Sequence, residues 1–314
     1  MKKKNILSLF LASVMVLGAA NTSYIQANTI SEELIIENEE WKDPYQYGGE
    51  TGLKEQKVDT DEISTMYSSS IRGVDISSYT ALKKAGVKFY NYEGKEESLI
   101  KILHDNGVNY IRVRIWNDPY NEKHETYGGG TCDVESGLAI AKEAAKYGMK
   151  MLLDFHYSDF WADPAQQIIP KAWEAYKNDS DKMAQNVYEY TKETIEKFQQ
   201  TGVEIGMVQI GNEITNGMLG ITTNRDAGES YKGIWANESK YKQVNKYLSA
   251  GSKAVKEVSD ALVVLQLETP NVKKFKEIMD TWERDDVYYD VLGSSYYPYW
   301  STDEKANTPE TLTK

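Results

Sequence analysis

Between Gly73 and Ser294 the chain alternates short β-forming runs with longer stretches of helical period. The strand-like runs are Gly73–Ile76, Tyr110–Trp116, Lys150–Phe155, Gly206–Ile210, Leu262–Leu267 and Tyr289–Ser294. Helical patterns lie between them at Ser98–Asp105, Val134–Tyr147, Asp181–Thr201, Tyr241–Ser259 and Val272–Trp282, three of them stopped by Gly107, Gly148 and Gly202. Regular alternation of this kind implies parallel strands joined by helical crossovers. The units are too unequal in length for a repeat solenoid. That leaves an open doubly wound sheet or a closed (β/α)₈ barrel.

Two features favour the barrel. No glycine-rich phosphate turn follows the first strand, where a dinucleotide-binding sheet would carry one. Polar and aromatic residues instead collect at nearly every strand end: Asp75, Trp116, Asn117, His156, Asn212, Glu213, Tyr296 and Tyr297. A barrel brings all these ends to one mouth, whereas an open sheet scatters them. The predicted fold is therefore α/β, a (β/α)₈ TIM barrel. Only about six of the eight strand-helix units can be counted, so an incomplete barrel over residues 68–314 is expected.

The N-terminus reads differently. Lys2, Lys3 and Lys4 precede an apolar core from Ile6 to Leu17, and small residues follow up to Ala27. This predicts a secretory signal peptide over residues 1–27, too short for a stable membrane span; a retained N-terminal anchor is the alternative. Residues 28–67 carry eleven acidic residues against three lysines and read as an acidic linker or N-terminal arm. The net charge is −12, which argues against nucleic acid as a partner and is compatible with neutral ligands such as sugars. The single cysteine, Cys132, implies a fold that needs no disulfide. The expected product is a secreted, extracellular protein, monomeric and free of the membrane once the signal is cleaved.

Val203–Gly217 carries the chemistry. Its apolar run ends abruptly in Gly211-Asn212-Glu213, which delivers a carboxylate to a strand tip. Glu213 can donate or accept a proton, and Asn212 offers an amide to a ligand hydroxyl. The alternative is that Glu213 only caps the next helix. His156 could orient a carboxylate, and Arg112 and Arg114, on one face of their strand, could fix a second. Around them stand Trp116, Tyr157, Phe160, Trp161, Trp173, Tyr296, Tyr297, Tyr299 and Trp300. Aromatic faces stack on the C–H-rich faces of sugars, so aromatics plus a carboxylate at a barrel mouth point to carbohydrate. Asp154 lies two residues from His156, but no further ligand completes a metal set. A serine nucleophile lacks its G-x-S-x-G elbow.

Several blocks are recognisable: VRIWNDPYN (113–121), GGGTCDVESGLAIAKEAAKYGMK (128–150), LLDFHYSDFWADPAQQIIPKAW (152–173), IGNEITNGMLG (210–220) and SSYYPYW (294–300). Together they closely resemble glycoside hydrolase family 53, secreted endo-β-1,4-galactanases that cut galactan side chains of pectin. The resemblance implies a (β/α)₈ barrel and a pair of glutamates acting with retention of configuration. Asn212-Glu213 matches the family's acid/base motif at the fourth strand. The family's nucleophile follows a seventh strand, which has no counterpart here, so it is expected beyond residue 314, and the chain itself is expected to be inactive and poorly soluble. No catalytic cofactor is implied. A structural calcium known in some bacterial members would lie in the same C-terminal part.

By this resemblance Glu213 is the proton donor, Asn212 binds a sugar 2-hydroxyl, and His156 and Arg112 hold the nucleophile. Tyr296 is the sixth-strand residue expected to hydrogen-bond that nucleophile. Asp75, Trp116, Asn117, Asp118, Tyr157, Trp161, Trp173, Tyr297 and Trp300 are the remaining candidates for substrate binding. Glu268, just past Leu267, is the alternative nucleophile within the chain, although a retaining pair should stand about 5 Å apart across the bond. Two other functions remain open: a non-catalytic galactan-binding protein, and a related barrel hydrolase acting on mannan, xylan or cellulose.

Overall fold

The computed structural model describes residues 70–297. The expected signal peptide and acidic arm, and Trp300, lie outside the described residues. β1 (Gly73–Asp75) leads through α1 (Tyr79–Lys84) and α2 (Leu99–Asp105) to β2 (Tyr110–Ile115). There follow α3 (Val134–Ala144), β3 (Lys150–Phe155), α4 (Ser180–Gln199) and β4 (Glu204–Ile210). A small hairpin, β5 (Gly217–Met218) and β6 (Ile221–Thr222), and a short helix, α5 (Lys232–Trp235), come next. The described part closes with α6 (Glu238–Val258), β7 (Leu262–Glu268), α7 (Val272–Arg284) and β8 (Val291–Ser295).

Six strands form one parallel sheet in the order β1-β2-β3-β4-β7-β8. The order is strictly sequential. A doubly wound sheet must reverse at a switch point, and this one does not. With crossovers of one hand, the helices collect on one face and the other face becomes a barrel lining. The sheet is six strands of a (β/α)₈ barrel, with β1 and β8 at its edges among the described residues.

Strand parity separates the two faces. Ile111, Val113 and Ile115 of β2, Met151, Leu153 and Phe155 of β3, Val208 and Ile210 of β4, and Val263, Leu265 and Leu267 of β7 are fully buried in the main core. Two glycines let helices approach this layer: a methyl group on Gly137 would meet Phe198 at 2.7 Å and Ile115 at 3.2 Å, and one on Gly251 would meet Ile210 at 2.7 Å. The opposite parity, Arg112, Arg114, Asp154, Gln209, Gln266 and Glu268, lines the interior near the C-terminal strand ends. Arg114, Asp154 and Gln209 are neighbours in the register.

Five helices begin at a side-chain cap, and two of them, α3 and α7, start where the sequence reading placed them. Ser98, Asp133, Asp179, Asn237 and Asn271 each accept a backbone N–H from the first turn of α2, α3, α4, α6 and α7. Such caps each stabilise a helix by roughly 0.5–2 kcal/mol. Asn237 is why α6 begins at Glu238 and not at Tyr241. The hairpin, α1 and α5 have too little periodicity to be read from sequence.

Candidate active site

Arg112 is the centre of the polar interior. Its Nη1 donates to Asp75 Oδ2 at 2.6 Å, and its Nη2 donates to Asp154 Oδ2 at 2.6 Å and to Asn212 Oδ1 at 3.0 Å. Burial pulls the Arg112 guanidinium's affinity for protons down, but Asp154 and Asp75 more than offset this and hold it above its ordinary value. Burial likewise opposes ionisation of Asp75, yet the Arg112 and Arg114 charges and the Ser77 hydrogen bonds keep its carboxyl below the usual range.

Asp154 is fully enclosed and has three donors: Arg112, Gln209 Nε2 at 2.6 Å, and His156 Nε2 at 2.9 Å. The Ala162 backbone N–H donates to His156 Nδ1 at 2.9 Å, so the neutral ring carries its proton on Nε2, facing Asp154. Both ring nitrogens are thereby committed. His156 orients Asp154, and the nucleophile it is expected to align lies outside the described residues.

Asn212 is held from three sides. It accepts from Arg112, donates from Nδ2 to the Ala162 carbonyl at 2.8 Å, and its own carbonyl accepts from Gln167 Nε2 at 2.9 Å. Glu213 follows with φ +49° and ψ +50°, a left-handed backbone that costs a non-glycine residue roughly 1–2 kcal/mol. Its N–H donates to Gln266 Oε1 at 2.6 Å, and Tyr297 Oη donates to its Oε1 at 2.9 Å. Burial pushes the Glu213 carboxyl's pKa up, Glu268 and Asp163 add to the rise, and hydrogen bonds from Ser295 and Tyr297 oppose it. A nearly enclosed carboxyl that stays protonated beyond the ordinary carboxylate range can serve as a general acid.

Glu268 ends the neighbouring strand but is engaged elsewhere. Its carboxylate accepts from the Thr215 hydroxyl, and Lys274 Nζ lies 3.4 Å from it. Burial draws the Lys274 pKa down against the upward pull of Glu268 and Glu213. So paired, Glu268 is a poor candidate for the alternative nucleophile.

The aromatic wall divides. Trp116 is fully buried beneath Phe160 and Trp161, with ring centroids at 4.8 and 5.8 Å. Tyr157 packs with Phe155 and Trp173 and hydrogen-bonds Thr191 of α4 at 2.6 Å. Trp173, 6 % exposed, packs against Tyr157 and Tyr190. Trp116, Tyr157 and Trp173, expected to bind substrate, are core side chains. Trp161 is half-buried on the Arg114 guanidinium, 4.2 Å from its ring centre. Asn117 is tied by its backbone to the Ser158 carbonyl, and Asp118 pairs with Lys171 at 3.0 Å on the surface. Tyr296 and Tyr297 follow β8, and the Tyr297 hydroxyl donates to Glu213 Oε1 at 2.9 Å.

Gln209, Gln266, Gln167 and Ser295 were missed from sequence. The available signal was a polar residue at an inward position of an otherwise apolar strand, as in Val208-Gln209-Ile210 and Leu265-Gln266-Leu267, since burying an amide demands partners. Among the described residues, no three His, Cys, Asp or Glu side chains group as a metal site, and no helix is long and apolar enough to cross a membrane.

Residues 71–314 match the model of the family described as glycosyl hydrolase family 53. An endo-beta-1,4-galactanase of Bacillus subtilis is 41 % identical over 250 residues, covering 79 % of this chain and 54 % of its own length. The GH53 catalytic domain of Ignisphaera aggregans superposes with a TM-score of 0.70 at 34 % identity, over 79 % of this chain and 65 % of that one. A structure from a study of two fungal beta-1,4-galactanases gives a TM-score of 0.63 at 29 % identity, over 76 % of this chain and 68 % of that one. The chain thus spans between about half and two thirds of the length of these relatives.

Proposed function

Because the chain belongs to glycosyl hydrolase family 53, we propose that it hydrolyses internal β-1,4-galactosidic bonds of galactan and arabinogalactan, with Glu213 as general acid/base. The observation that carries this reading is Glu213 itself, an enclosed carboxyl at a barrel-strand tip with its pKa raised by burial. In the first step Glu213 protonates the departing glycosidic oxygen; in the second, as a carboxylate, it takes a proton from the attacking water. Retention needs a second carboxylate about 5–5.5 Å away. With Glu268 bound by Thr215 and Lys274, that role is assigned to a glutamate outside residues 70–297. Asn212, fixed by Arg112 and Ala162, presents its remaining amide proton to the sugar 2-hydroxyl.

The reading includes a secreted monomer acting on extracellular polysaccharide, without membrane attachment and without a catalytic cofactor. The calcium expected from the resemblance would lie outside the described residues and takes no part in the chemistry. Reducing-sugar release by the intact protein should be rapid on β-1,4-galactan and close to background on xylan, mannan and cellulose. Equal rates on mannan would favour a related hydrolase, and binding without release a non-catalytic galactan binder.

Tyr297→Phe tests the protonation of Glu213. The Tyr297 hydroxyl stabilises the Glu213 carboxylate, so its loss raises the Glu213 pKa further. A general acid works only while protonated, and the alkaline limb of kcat/KM on galactan should therefore move to higher pH. A limb that stays in place or moves down would remove Tyr297 from this role.

A further inference from the structure

Glu213 holds a left-handed backbone that only strong local contacts sustain in a residue other than glycine. The contacts converge on one side chain. Gln266 is the fifth residue of β7, points into the barrel and is 7 % exposed. Its Oε1 accepts the Glu213 backbone N–H at 2.6 Å, which is an unambiguous donor and so fixes which end of the amide is oxygen. Its Nε2 then donates to Ser295 Oγ at the tip of β8. Ser295 so held stands beside the Glu213 carboxyl and favours its ionised form. Gln209 Nε2, itself anchored on Asp154, donates to Gln266 Oε1 at 3.4 Å and ties the ring to the Arg112 network. One amide thus holds both the Glu213 backbone and the Ser295 side chain.

We propose that Gln266 is the positioning residue of the acid/base: through its oxygen it sets the Glu213 backbone, and through its nitrogen it fixes Ser295 at the tip of the adjoining strand, so that the proton is aimed at the glycosidic oxygen. This rests on the reading of Glu213 as general acid/base. A plain structural amide would serve stability alone. A positioning amide also governs proton delivery, whose need depends on the leaving group.

The test compares Gln266→Leu, Gln266→Glu and Glu213→Gln in the intact protein, on β-1,4-galactan and on an aryl β-galactoside with a good leaving group. Gln266→Leu keeps the size and removes both hydrogen bonds. It should lower galactan kcat by about 10²-fold, the effect of a misplacement near 1 Å, with KM little changed. Glycosylation by the aryl substrate, which needs little proton assistance, should fall by less than about tenfold. Gln266→Glu keeps an acceptor for the Glu213 N–H and should retain more galactan activity than Gln266→Leu. Equal losses on both substrates, or no loss on galactan while Glu213→Gln abolishes it, would overturn the inference. Unchanged galactan turnover in Glu213→Gln would instead sink the acid/base reading on which it rests. Hydrogen exchange of the unsubstituted protein gives an answer that needs no variant. The Glu213 amide should exchange as slowly as the amides of β4, and rapid exchange would refute the anchoring by Gln266.

Discussion

Glu213→Gln should reduce hydrolysis of β-1,4-galactan by about 10²–10⁴-fold, the range supplied by a positioned general acid. The sugar leaving group of the polymer is a poor one and departs only with a proton, which a glutamine side chain cannot deliver. An aryl galactoside with a good leaving group should keep most of its glycosylation rate. Its second step still lacks a base, so a rapid burst should precede slow turnover. An added small anion such as azide needs no base to attack, and it should restore turnover of the aryl substrate. The substitution removes a carboxyl that is 8 % exposed and has its pKa raised by burial, so folding stability should not suffer from lost charge pairing. Near-normal galactan turnover would exclude Glu213 as the acid/base.

Arg112→Ala should be the most destabilising single change in the polar interior, by about 3–5 kcal/mol. Asp154 has no exposure and pairs with Arg112 at 2.6 Å. Without the guanidinium its charge remains buried, with only Gln209 and the neutral His156 as donors. Asn212 and Asp75 lose a partner at the same time. For a domain of this size the expected fall in Tm is roughly 6–20 °C. Adding Asp154→Asn to Arg112→Ala should recover part of the loss, because the uncompensated charge is gone. A single-variant cost below about 1 kcal/mol, the level of an exposed ion pair, would show that the pair is solvated and not structural. Activity should also fall, since Arg112 braces Asn212 beside Glu213.

Much of the architecture was legible in the amino-acid sequence. Lys150–Phe155 was read to the residue, because its apolar core Met151–Leu153 lies between Gly148 and a polar His156, which mark clear ends. The other five barrel strands were placed within about two residues, and the long helices α3, α4, α6 and α7 were found from their apolar period. Glu213 and Asn212 were visible as a polar step at the end of a buried strand, and Arg112 by its inward parity. Less legible were elements without period. The β5–β6 hairpin, α1 and α5 are too short for a pattern, and the Asn237 cap precedes the first apolar residue of α6, Tyr241, by about one turn.

Local pattern and parity therefore determined which residues form strands and helices, which strand faces are apolar, and which carboxylate stands at the tip of β4. These depend on neighbours in the chain, and the period of a strand or helix carries them. Partnership between strands was decided only in three dimensions. The sequence could not tell that His156 turns to Asp154, that Glu268 is taken up by Thr215 and Lys274, or that Tyr157 and Trp173 sink into the helix layer. Nor could it show that Gln266, 53 residues beyond Glu213, accepts the Glu213 N–H. Parallel strands joined by long crossovers bring together side chains far apart in sequence, and a hydrogen bond's choice of partner depends on distance and direction, which the fold alone supplies.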